Sequence, residues 1–69
     1  MRDLLSKKGD PLTPREREIL TMMLDGASTA GMAGVLAITL TSVRDDISSI
    51  MTKLGVRSRR EAILMAGAH

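Results

Sequence analysis

Residues 39–56 read TLTSVRDDISSIMTKLGV, and their periodicity decides the fold. Val43, Ile47, Ile50, Met51 and Leu54 recur at i, i+4, i+7, i+8 and i+11, the repeat of a helix that buries one stripe and leaves the rest to solvent. Thr39 and Thr41 are both suited to open that helix, because a hydroxyl can satisfy an orphan first-turn N–H. Gly55 is placed to close it in the left-handed conformation, with Val56 packing back onto the last turn. A helix over about residues 41–54 follows.

Upstream, Thr13-Pro14-Arg15-Glu16 has the elements of a helix start. Thr13 caps, Pro14 suits the first helical position, and Glu16 reaches back to the Thr13 N–H to complete a capping box. Ile19, Leu20, Met23 and Leu24 follow at helical spacing until Asp25-Gly26, so this helix is expected over residues 14–25. Ser28 or Thr29 then caps a short helix through Met32, Ala33 and Leu36, which tertiary packing must hold because Gly31 and Gly34 each weaken it by about 1 kcal/mol. Downstream, Ser58-Arg59-Arg60-Glu61 is a second capping box, opening a last helix over about residues 58–67. Residues 1–11, with Lys7, Lys8, Gly9, Asp10 and Pro11, read as a flexible leader or linker stub, and residues 12–69 as one domain. The sum is an all-α bundle. The brief link Ala37-Ile38-Thr39-Leu40 suits a helix-turn-helix, in which one helix braces while the next is presented outward.

Composition removes several classes of function. The 69 residues contain no Cys and one His, His69, so neither a thiolate nucleophile, a His/Cys zinc set nor a Ser/His/Asp triad can be assembled. Asp45 and Asp46 are neighbours on a helix and point about 100° apart, which leaves no paired carboxylates. An enzyme is therefore not expected, and neither is a cofactor or a small-molecule ligand. Residues 26–43 carry no charge, but Gly26, Gly31 and Gly34 and five hydroxyl residues interrupt the run, and a membrane span needs about 20 predominantly apolar residues. No secretory signal precedes it, so a soluble cytoplasmic protein is the expectation. The methionines Met22, Met23, Met32, Met51 and Met65 fall on or beside apolar stripes and read as adaptable core filler in a chain without aromatics; a Met-rich interaction surface is the lesser alternative. The net charge is +2, and Lys53, Arg57, Arg59 and Arg60 lie together with no acid between them. Such a cluster is either a footprint for a polyanion or a solvated face.

The two end motifs, LTPREREIL at residues 12–20 and KLGVRSRREA at residues 53–62, with Gly26, Ser28, Ala33 and Val43-Arg44 between them, closely resemble the LuxR/FixJ-type helix-turn-helix domain. The resemblance covers about residues 12–66. It implies a four-helix DNA-binding domain of bacterial transcription regulators, with the third helix in the major groove and the last helix pairing two subunits. The DNA-reading portion departs from the pattern. Thr29-Ala30-Gly31 stands where the family usually has a phosphate-contacting Lys and a capping Glu, and Asp45-Asp46 follows Ser42-Val43-Arg44 where a His is common.

Thr41, Ser42, Arg44, Asp45, Ser48, Lys53 and Arg57 are the candidate DNA contacts. Arg44 carries a fork able to read a guanine, although a solvent-exposed helix Arg looks the same in sequence. Asp45 has three possible roles: accepting from a cytosine N4, repelling the DNA backbone, or capping the first turn, the last being the expected one. Asp46 suits repulsion or a salt bridge better than base reading. The hydroxyls of Thr41, Ser42 and Ser48 can donate to phosphates or bases, and Lys53, Arg57, Arg59 and Arg60 can clamp the backbone; Arg59 can equally pair with Glu16 or Glu18. On the last helix, residues 59, 62, 63 and 66 share one face, which leaves Leu64, Met65 and Ala68 as a candidate dimer surface. The leading expectation is a dimeric transcription regulator acting on double-stranded DNA, as a homodimer or with a related regulator. The other is a domain impaired in DNA binding that modulates a related regulator through protein contacts.

Overall fold

The computed structural model describes residues 7–66. Within them lie α1 (Pro14–Leu24), α2 (Thr29–Leu36), α3 (Leu40–Leu54) and α4 (Arg59–Ala66), and no strand occurs among the described residues. The fold is the expected all-α one. Ala68 and position 67, the expected end of the last helix, lie outside the described residues.

Each helix begins where side-chain chemistry satisfies its first amides. Glu16 N–H donates to Thr13 Oγ1 at 3.1 Å and Thr13 N–H donates back to Glu16 Oε1 at 2.8 Å, a closed capping box with Pro14 in place. Ser28 rather than Thr29 caps α2, accepting from Gly31 N–H at 3.0 Å. Thr39 rather than Thr41 caps α3, accepting from Ser42 N–H at 3.0 Å, so the helix starts at Leu40, one residue ahead of expectation. At α4 the second box closes differently. Ser58 Oγ accepts from Glu61 N–H at 3.1 Å, but the Glu61 carboxylate takes the N–H of Arg57, at 2.7 Å, instead of that of Ser58.

Three left-handed residues end the first three helices. Gly26 (φ 84) follows α1, which stops at Leu24 with Asp25 as its cap, and Gly55 (φ 71) follows α3, with Val56 N–H returning to Met51 C=O at 3.0 Å. The third is not a glycine. Ala37 closes α2 at φ 55, ψ 44, with Ile38 N–H bonded to Ala33 C=O at 3.1 Å. A Cβ makes this conformation unfavourable by about 1–2 kcal/mol, and the chain accepts it because α2 must turn back within three residues to place α3. Ala37→Gly is therefore expected to stabilise the domain by about 0.5–1 kcal/mol after the entropy of the freer unfolded chain is subtracted, read as a rise in Tm of about 4 °C.

The core is Ile19 and Met23 from α1, Met32 from α2, Val43, Ile47 and Ile50 from α3, and Ala62 from α4. Helix α3 packs against all three other helices, and α1 also touches α4. Met23 and Met32 are fully enclosed and Met22 and Met51 pack at the edge, as gap-filling requires, whereas Met65 is half exposed. The uncharged run at 26–43 becomes α2 and the two turns around it, and no helix among the described residues is long and apolar enough to cross a membrane. Part of the expected leader is folded back. Residues 7–10 form a turn in which Lys7 N–H donates to Asp10 Oδ2 at 2.9 Å, and Gly9 N–H satisfies the Lys53 C=O at the end of α3 at 2.9 Å.

Candidate nucleic-acid interface

Helix α3 divides into three faces. Val43, Ile47 and Ile50 point into the core. Asp46, Ser49 and Lys53, spaced i, i+3 and i+7, form a polar edge turned toward α1, with Asp46 and Ser49 fully buried. Thr41, Arg44, Asp45, Ser48 and Thr52 form the third face, and all five are exposed. Four of the seven expected DNA contacts thus share one outward stripe, which Thr52 extends.

The polar edge is satisfied by two ion pairs that fix the rotation of α3 on α1. Arg15 forks onto Asp46, Nε to Oδ2 at 2.5 Å and Nη2 to Oδ1 at 3.0 Å, so Asp46 is the salt-bridging residue of the two readings open to it. Lys53 Nζ donates to Glu16 Oε1 at 2.6 Å. Burial raises the pKa of Glu16, but hydrogen bonds from Lys53, Ser49 and the Thr13 N–H, with the nearby Lys53 charge, outweigh it and hold the carboxyl below its ordinary value of 4.5. Lys53 was expected to meet DNA. Its side chain is instead 9% exposed, with the ammonium held inside the fold by the otherwise uncompensated Glu16 carboxylate.

The remaining candidates sit as follows. Ser42 is half-buried and its Oγ accepts from Thr39 Oγ1 at 3.0 Å, which joins it to the cap of α3. Asp45 is the sixth residue of the helix that Thr39 caps, beyond reach of the first-turn amides, so the expected capping role does not hold. Arg57 is exposed on the turn after α3. Arg59 binds neither Glu16 nor Glu18; its Nη1 donates to Thr29 Oγ1 at 3.3 Å, tying α4 to the start of α2. On α4, Ala62 is buried while Leu64 and Met65 are 61% and 50% exposed, an apolar pair left in solvent. Arg15 on α1, which meets Asp46, and Ser49 on α3, which meets Glu16, complete the polar edge and are not among the candidates read from sequence, although the i, i+3, i+7 spacing of Asp46, Ser49 and Lys53 beside an apolar stripe is the signal that finds it.

Residues 10–66 match the family described as bacterial regulatory proteins, luxR family. The chain is 46% identical over 63 residues to the transcriptional regulatory protein DesR of Bacillus subtilis, covering 91% of this chain and 31% of that protein. It is 39% identical over 56 residues to the HTH-type transcriptional regulator MalT of Serratia proteamaculans, covering 81% of this chain and 6% of that protein. It is 35% identical over 72 residues to the response regulator protein VraR of Staphylococcus aureus, covering 100% of this chain and 34% of that protein. The chain thus spans about a third or less of the curated relatives it matches.

Proposed function

The chain belongs to the luxR family of bacterial regulatory proteins, and from that premise we propose that it is a transcription-regulating module that reads double-stranded DNA with α3 in the major groove. The observation that carries the reading is the exposed stripe Thr41, Arg44, Asp45 and Ser48 on a helix whose other two faces are packed and ion-paired. A reading helix must hold its side chains in fixed register, and the core stripe and the two bridges to α1 supply that rigidity. Arg57 adds a backbone contact beyond the end of α3, and the module acts in the cytoplasm, where the DNA is.

Titration against random and genomic duplexes at two salt concentrations tests the assignment. Affinity that falls with salt supports it, because neutralised phosphates release counterions. Absence of binding at low salt would overturn it in favour of the second reading, a family member that modulates a related regulator through protein contacts. One observation favours that reading: the exposed charges of α3 are Arg44 and Asp45, which cancel.

The exposed pair Leu64 and Met65 on α4 is proposed as the dimer surface, placing two copies on half-sites about one helical turn apart. Ala68, expected in the same patch, lies outside the described residues. Leu64→Asp is expected to leave the helix content unchanged and to shift the sedimentation-equilibrium mass from dimer toward monomer. A mass unaffected by the charge would remove α4 from the interface.

A further inference from the structure

Resting on the assignment of α3 as the DNA-reading helix, we infer that Asp45 is a specificity-determining residue that selects a cytosine in each half-site. Asp45 lies in the middle of the exposed stripe, one residue from Arg44, four beyond Thr41 and three before Ser48, so α3 cannot seat in a groove with this carboxylate outside it. Among the described residues no hydrogen bond or ion pair reaches the Asp45 side chain; Arg15 neutralises Asp46, and Lys53 neutralises Glu16. The structure supplies no intramolecular compensation for bringing Asp45 against DNA. The base edge must supply it.

An ionised carboxylate only accepts hydrogen bonds, and phosphate oxygens offer it nothing. In the major groove guanine presents the acceptors N7 and O6, and thymine the acceptor O4 and a methyl group; donors come only from cytosine N4 and adenine N6. The adenine donor stands beside N7, whose lone pair repels a carboxylate. Cytosine has no acceptor on its major-groove edge, so it is the base the Asp45 charge tolerates best. Arg44, the neighbouring residue, carries the fork that suits guanine O6 and N7, and because helix neighbours point about 100° apart the two side chains read different base pairs, a guanine for the cation and a cytosine for the anion. Asp45 in this role repels wrong sequences as well as accepting from the right one, which offsets the affinity it removes from non-specific DNA.

Selection from a pool of randomised duplexes, run on the full chain and on Asp45→Asn and Asp45→Ala, tests the inference. The unaltered chain is expected to fix a cytosine at one position of each half-site. Asp45→Asn is expected to move that position to adenine, whose N6 and N7 match a carboxamide, and Asp45→Ala to lose the preference there by about tenfold while other positions keep theirs. Base frequencies that are the same for all three proteins would overturn the inference while leaving the DNA-reading assignment intact. A uniform rise in affinity for every duplex on Asp45→Ala, with no change of base at any position, would do so too. Failure of all three to bind any duplex, with native circular dichroism, would overturn the assignment of α3 and this inference with it.

Discussion

Glu16→Ala is expected to leave most of the protein unfolded at 25 °C. Glu16 is 2% exposed and compensates the ammonium of Lys53, whose side chain is 9% exposed, while also accepting the Thr13 N–H that starts α1. Removing one partner of a buried pair strands the other charge and lowers stability by about 3–5 kcal/mol. A single core in a domain this small seldom supplies more than about 3–5 kcal/mol in all, so the loss is of the same size as the total. Chemical denaturation followed by circular dichroism measures it. The paired change Glu16→Met, Lys53→Met is expected to recover much of the loss, because two apolar side chains of similar volume leave no unpaired charge behind. If Glu16→Ala shifts the midpoint by less than 1 kcal/mol equivalent, the bridge is not what fixes α1 on α3.

The same carboxylate sets an acid limit. Its pKa is lower in the folded state than its ordinary value of 4.5, so its contribution to stability is complete above that value and is lost as pH falls through the lowered native one. Unfolding on acidification is therefore expected to set in below about pH 4.5 in the unaltered chain, and the double methionine variant is expected to be less sensitive over that range.

Arg44→Ala is expected to remove base discrimination at the position that Arg44 reads, with the fold unchanged. Arg44 is the sole exposed cation of α3, since Lys53 is engaged by Glu16, and no side chain on the stripe can replace a guanidinium fork. Loss of a bidentate base contact lowers affinity for the preferred site by about 1–3 kcal/mol, or about tenfold to a hundredfold. Arg44→Lys is expected to keep the salt dependence while losing base discrimination, because an ammonium is a point charge without the planar fork. If Arg44 contacts only phosphate, Arg44→Ala will instead weaken binding to all duplexes alike and reduce the salt slope by about 1.

Most of the fold was readable in the chain because local chemistry and periodicity agree. Thr13, Pro14 and Glu16 announce α1, Gly55 ends α3 where the repeat stops, and the stripe from Val43 to Leu54 is the one that α1, α2 and α4 cover. The turn at Ala37 was harder, since alanine gives no sign of a left-handed residue and only the need to turn within three residues demands one. The site was readable only on its outer side. Thr41, Arg44, Asp45 and Ser48 are where helical spacing puts them, and a salt bridge is one of the two readings open to Asp46, but its partner is not legible and Lys53 reads as a surface cation because polar residues are ordinarily solvated. Their burial depends on Glu16 and Arg15, more than thirty residues away, and a partner at that distance becomes visible only when the chain is folded.

The measurement that addresses the central claim most directly is backbone amide chemical-shift mapping of the isotope-labelled chain during titration with duplex DNA at low salt. Perturbations are expected to concentrate at Thr41, Arg44, Asp45 and Ser48, to extend to Arg57, and to collapse as salt is raised. Perturbations confined to Leu64 and Met65 on α4, or none on α3 at any salt, would contradict the assignment of α3 as the helix that reads DNA.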